Sequence, residues 1–87
     1  MYVIVVYDIG EKRVGKMLKL CRQYLNWIQN SVFEGDISEV KLTELKTKAK
    51  KIMHEETDSL IIFKTDATKW MNKEIVGKER ADTDVFL

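Results

Sequence analysis

A chain of 87 residues, 45% hydrophobic and 33% charged and without a proline, has room for one domain that buries only roughly 60 to 65% of its unfolded surface. It is neither disordered nor fibrous in composition, and its lone cysteine, Cys21, excludes an intrachain disulfide and a thiolate metal cluster. No apolar run reaches the roughly 18 residues of a membrane span, and the first run lacks the basic lead and small-residue cleavage site of a signal peptide, so a cytoplasmic protein with no membrane partner is expected.

The net charge of +1 hides an uneven distribution. Lys12, Arg13, Lys16, Lys19 and Arg22 face Glu11 alone over residues 11–22, and Lys41, Lys46, Lys48, Lys50 and Lys51 face Glu44 over 41–51. The acids gather at 34–39, 55–58 and 79–84. Two lysine-rich amphipathic helices with solvated faces explain this pattern. Two basic helices on one small domain also make a polyanion a reasonable partner.

In chain order, Tyr2 to Tyr7 is an unbroken aromatic and β-branched run ended by Asp8, a strand with apolar side chains on both faces. Tyr2, Ile4, Val6 and Asp8 share one face, and Val3, Val5 and Tyr7 the other. Ile9-Gly10 breaks the strand. Val14, Met17, Leu18, Cys21, Tyr24 and Leu25 then follow helical spacing from about Lys12 to Leu25, which places Cys21 in the core as a packing residue. From Asn26 to Gly35 no helical stripe fits, and aromatic and β-branched residues read as one bulged strand or two short ones. Ser38 caps a second helix from about Glu39 to His54, with Leu42, Leu45, Ala49, Ile52 and Met53 inward. Ser59 to Lys64 is a third apolar strand, also expected to be covered on both faces. Beyond it the sequence suggests a turn at 66–70, a short strand at Glu74-Ile75-Val76 and a terminal strand at 84–87. These elements point to an α+β, ferredoxin-like sandwich of the βαββαβ type, two helices on one face of an antiparallel or mixed sheet, over residues 1–78. Residues 79–87 then form a tail that pairs with a partner subunit. The opposite face of such a sheet is a hydrophobic patch, most simply covered by a second copy in a symmetric homodimer.

Common catalytic signatures are absent: no G-x-S-x-G, P-loop, H-E-x-x-H or dinucleotide fingerprint occurs, nor does the K/R-G-F/Y-G/A-F-V-x-F/Y segment of an RNA-recognition motif. His54, the single histidine, reads as a surface residue at a helix end. Glu55, Glu56 and Asp58 read as solvated turn residues. Asp8 differs, because it closes a two-faced strand where a loop presents functional groups. As a structural residue it would cap the next helix or start the turn. As a functional one it is half of a Mg²⁺ site, since that ion takes one or two carboxylates with waters and substrate phosphates; a two-fold axis near Asp8 would supply the second.

Tyr7-Asp8-Ile9, Arg13 and Lys16 in the first helix, Tyr24, and Gln29-x-Ser31-Val32-Phe33-Glu34-Gly35 resemble the CRISPR-associated Cas-two family, the smaller of the two universal CRISPR adaptation proteins, over roughly residues 1 to 65. Leu25 and Trp27 stand where many relatives have glycine and arginine. The resemblance implies a ferredoxin-like homodimer with a C-terminal strand added to the partner's sheet. It also implies Asp8 as the Mg²⁺ ligand, Tyr7 and Arg13 as its catalytic neighbours, and Ser31 and Phe33 near the dimer cleft. The expected function is spacer acquisition with Mg²⁺-dependent hydrolysis of RNA, or of DNA, with Lys12, Arg13, Lys16 and Lys19 on the nucleic acid. The alternatives are a non-catalytic dimer that holds duplex DNA by its phosphates and bridges subunits of the larger CRISPR integrase, and a related stand-alone ribonuclease toxin.

Overall fold

In the computed structural model, which describes residues 1–66 and 72–81, the elements are β1 (Tyr2–Asp8), α1 (Glu11–Arg22), β2 (Asn26–Gln29), β3 (Val32–Asp36), α2 (Glu39–Ile52) and β4 (Ser59–Thr65). The strands form one sheet in the order β2-β3-β1-β4, with every adjacent pair antiparallel. This is the expected βαββαβ sandwich. Among the described residues no helix is long and apolar enough to cross a membrane.

Strand alternation decides where the core sits. Val3, Val5 and Tyr7 of β1 and Phe33 of β3 point to the helix side and are buried with Met17, Leu20, Cys21, Leu42, Leu45 and Ala49. Leu20 joins the α1 stripe because its position also faces the sheet, while α1 ends at Arg22 and leaves Tyr24 and Leu25 in the turn that follows. The Cys21 thiol is fully buried, and burial pushes its pKa up to about 12; it packs rather than reacts. The segment 26–36 resolves into a hairpin, with Asn30 at φ 46° in its turn and a register shift between Trp27 and Gln29, so of the two expected alternatives it is the pair of short strands that forms. Ser38 Oγ accepts from the Lys41 N–H at 3.1 Å and caps α2 as anticipated.

Leu25 and Trp27 have structural explanations. A Cβ on Gly35 would sit 3.2 Å from Leu25 Cδ2, so the glycine of β3 is the hollow into which the leucine packs. Trp27 lies partly against the core, donates its indole N–H to Asn30 O at 2.9 Å and carries the Arg22 guanidinium 6.0 Å from its ring centroid.

Within one chain the outer face of the sheet is left partly bare, as the sandwich arrangement implies. Tyr2, Ile4 and Val6 are half-buried, and on β4 Ile61 and Phe63 remain 50% and 57% exposed. The helices cover one face only. Glu74-Ile75-Val76 is not a strand: it has no sheet partner, and Val76 is fully exposed. Lys73 instead reaches back over the outer face to pair with Glu34. Most of the expected 66–70 turn and the 84–87 strand lie outside the described residues.

Asp58 is a second correction. It is not a solvated turn residue, because its side chain is 1% exposed and paired with Arg13. Oδ1 accepts from Gly10 N at 2.9 Å and from Arg13 Nη2 at 3.0 Å; Oδ2 accepts from Arg13 Nε at 2.7 Å and from His54 N at 2.9 Å. One carboxylate thus joins the loop after β1, the first turn of α1, the end of α2 and the start of β4. It also places negative charge at the α1 N-terminus, where the Gly10 cap has no side chain to offer. His54 itself is exposed, as expected.

Phe33→Ala removes a fully buried ring from the centre of the core and is expected to cost about 3 to 5 kcal/mol in urea unfolding. The Arg13 hydrogen bonds, followed by that from His54 N, hold the Asp58 carboxyl well below the usual carboxylate range. Because the folded pKa lies below the unfolded one, this stabilisation is complete above the ordinary value of about 3.9 and is lost as pH falls through the depressed folded value. The urea midpoint of the wild type should therefore exceed that of Asp58→Asn by a constant margin from about pH 8 to about pH 5, and the margin should narrow only below about pH 4.

Candidate metal and nucleic-acid site

Asp8 is the last residue of β1 and is exposed. Alternation puts it on the outer face with Tyr2, Ile4 and Val6. The antiparallel register extends that face sideways: Ile4 is opposite Glu34 and Phe63, Val6 opposite Val32 and Ile61, and Asp8 opposite Ser59. Asp8 is therefore the polar end of an apolar surface that the protomer leaves half open.

The other expected site residues are distributed on different surfaces. Tyr7, next to Asp8 in sequence, is 4% exposed on the helix side of the sheet, with its ring stacked on Phe33 at 6.1 Å between centroids and 22° between planes. Burial raises the pKa of its phenol. Phe33 itself has no exposed surface and belongs to the protomer's own core, because β3 alternation turns Phe33 and Gly35 inward and Val32 and Glu34 outward. Ser31 is half-buried in the hairpin turn, and its carbonyl accepts from Tyr7 N at 3.1 Å, which ties the turn to the last residues of β1. Arg13 is oriented toward Asp58, and its charge is shared with that carboxylate.

Lys12, Lys16 and Lys19 are exposed and follow the i, i+4, i+7 spacing of one α1 face. On α2, Lys41, Lys46, Lys48, Lys50 and Lys51 are exposed as well. Two of them are tethered near the helix junction: Tyr24 Oη donates to Glu44 Oε1 at 2.7 Å, Lys41 Nζ lies 3.5 Å from the same oxygen, and Lys48 Nζ lies 5.5 Å from the Tyr24 ring centroid. The Tyr24 hydrogen bond and these lysines hold the Glu44 carboxyl below its ordinary value. The α1 lysines have no ion pair of this kind among the described residues.

Among the described residues no cluster of three or more His, Cys, Asp or Glu side chains could hold a metal ion. A single chain has exposed strand-end carboxylates at Asp8 on β1 and Asp36 on β3; Asp36 is paired with the N-terminal ammonium at 3.1 Å, and Asp8 has no such pairing among the described residues. The Asp8 carboxylate fits Mg²⁺, a hard cation that retains waters and is commonly bound through one or two carboxylates plus phosphate oxygens. It does not fit Zn²⁺, whose structural sites use four protein ligands and whose catalytic sites use three. Asp58, whose buried ion pair sequence reasoning missed, borders this region through its hydrogen bond from Gly10 N and its chain neighbour Ser59. Its signal was weak: an aspartate shortly before an apolar run, and an arginine beside Lys12 in the first turn of α1.

The family model described as CRISPR associated protein Cas2 matches residues 1–73. The chain is 46% identical over its full length to the CRISPR-associated endoribonuclease Cas2 of Dictyoglomus turgidum, covering all of that protein as well. It is 45% identical to the protein of the same name from Thermotoga maritima, over 94% of each chain. Among solved structures, one titled "Crystal structure of cas2" superposes with a TM-score of 0.85 at 41% identity, covering 95% of this chain and 93% of that one. Streptococcus pyogenes Cas2 gives a TM-score of 0.69 at 32% identity over 75% and 86% of the two chains. With a family model spanning most of its length and full-length relatives on both sides, this chain belongs to the CRISPR-associated protein Cas2 family.

Proposed function

We propose that this protein is a cytoplasmic Mg²⁺-dependent endoribonuclease of CRISPR spacer acquisition. It acts as a homodimer on single-stranded RNA, beside the larger integrase subunit. The observation that carries this reading is the position of Asp8, exposed at the polar end of the open apolar face. A second copy that covers Ile61 and Phe63 removes about 1 kcal/mol of exposed apolar cost for each such residue per chain. The same packing brings the two Asp8 carboxylates toward one axis. The relatives' shared name of endoribonuclease supports the reaction class.

When bound, Mg²⁺ supplies an activated water and charge neutralisation at the scissile phosphate. The protein's own contributions are more specific. Asp8 of each copy contributes a hard oxygen ligand. Lys12, Lys16 and Lys19 receive the phosphodiester backbone along one helix face, without reading its sequence. Tyr7 and Arg13 act on Asp8 through the backbone, since the Tyr7 ring is packed in the core and the Arg13 guanidinium is on Asp58.

Asp8→Ala is expected to lower Mg²⁺-dependent cleavage of single-stranded RNA by about 100-fold or more, measured on dimeric protein purified in parallel with the wild type. Equal cleavage with equal Mg²⁺ dependence would assign the activity to another residue or to a contaminant. Replacing Lys12, Lys16 and Lys19 together by glutamine should reduce the slope of log affinity against log salt by about 2 per RNA strand bound. An unchanged slope would move the RNA track off α1.

A further inference from the structure

The carboxylate of Asp58 holds the backbone on two sides of Asp8. Gly10, whose N–H it accepts at 2.9 Å, follows Asp8 by two residues. Ser59, the residue after Asp58, is the cross-strand partner of Asp8. Arg13 completes the device. Its Nε and Nη2 contact the two carboxylate oxygens at 2.7 and 3.0 Å, a fork geometry that lysine lacks. Its head also lies over Gly10 so closely that a Cβ there would stand 2.4 Å from Nη2. With His54 N on the same carboxylate, each oxygen has two donors within 3.0 Å, so the carboxylate is fixed in orientation as well as in place. Asp8 itself makes no such contacts: among the described residues no hydrogen bond or ion pair involving its side chain is found. An exposed ligand at a strand end keeps its direction only if its backbone is held.

Resting on the reading of Asp8 as the metal ligand, we propose that Arg13 and Asp58 are positioning residues for that site. Their ion pair, gripping Gly10 and the start of β4, sets the direction in which Asp8 leaves the sheet, so that the carboxylates of two copies converge on one ion. The pair touches neither metal nor RNA. Its influence is on metal affinity and on the metal-dependent step, not on RNA binding.

Gly10→Ala separates this role from a general role in stability. The backbone φ of −53° at Gly10 tolerates alanine, every charge and hydrogen-bonding group is kept, and the new methyl displaces only the guanidinium. Asp58→Asn and Arg13→Lys are the companion variants. The experiment titrates Mn²⁺ into each full-length protein by calorimetry, with circular dichroism confirming the fold at the working temperature, and follows RNA cleavage against metal concentration. The proposal expects all three variants to weaken Mn²⁺ binding about 10- to 100-fold. Half-maximal activation should move to higher metal by the same factor, with KM for RNA unchanged within about two-fold. Adding Asp8→Ala to Asp58→Asn should weaken metal binding no further than Asp8→Ala alone. If the folded variants bind Mn²⁺ as the wild type does, the pair is an anchor of the fold only and the proposal is wrong. If Asp8→Ala alone leaves Mn²⁺ binding intact, the metal reading itself fails and takes the proposal with it.

Discussion

The structure depends on β1 having two different apolar faces. Val3, Val5 and Tyr7 meet the helices and build the core with Phe33, Met17 and Leu42, while Tyr2, Ile4 and Val6 continue an outer surface on which Ile61 and Phe63 stay half exposed. A domain of this size buries only roughly 60 to 65% of its unfolded surface, so an apolar face left in water is costly. The same strand that supplies much of the core therefore also borders the half-exposed apolar surface. Alternation places Asp8 at the polar end of that same outer side.

The loop that follows β1 could have been loose, with a helix cap that lacks a side chain. It is instead closed from a distance by the Asp58 carboxylate, which joins four elements through Gly10, Arg13, His54 and its own chain neighbour Ser59. Two features thus flank Asp8: the half-open apolar face on which alternation places it, and the Arg13–Asp58 pair that holds Gly10 and adjoins its cross-strand partner Ser59. In the loop geometry, arginine 13 belongs with the scaffold. The lysines of α1 remain the exposed cations suited to phosphate.

Local patterns told most of the fold. The apolar runs of β1 and β4, the 3.6-residue stripes of both helices and the Ser38 cap are all signals carried by neighbouring residues, and each marks its element, although both helices stop short of their expected ends, at Arg22 and Ile52. The Tyr7-Asp8-Ile9 and Ser31-to-Gly35 segments likewise marked the family. Long-range electrostatics were not legible. Asp58 sits in an acidic turn beside Glu55 and Glu56, which are exposed as expected, and nothing local distinguishes it; its partner Arg13 lies 45 residues earlier. The burial of Phe33 could have been read from alternation alone, since Gly35 and Phe33 share a face of β3, but the motif drew attention toward the surface. Glu74-Ile75-Val76 is not a strand although its β-branched residues suggested one; β propensity depends on a pairing neighbour, and here Lys73 is drawn to Glu34 over the outer face instead.

The two-fold sharing of one ion is the claim on which the chemistry stands, and metal stoichiometry tests it most directly. Mn²⁺ titrated into the purified protein, with the mass in solution followed by sedimentation in the same buffer, should give a species of twice the chain mass that binds one ion per two chains, lost in Asp8→Ala. A monomer under those conditions, or one ion per chain, would contradict it.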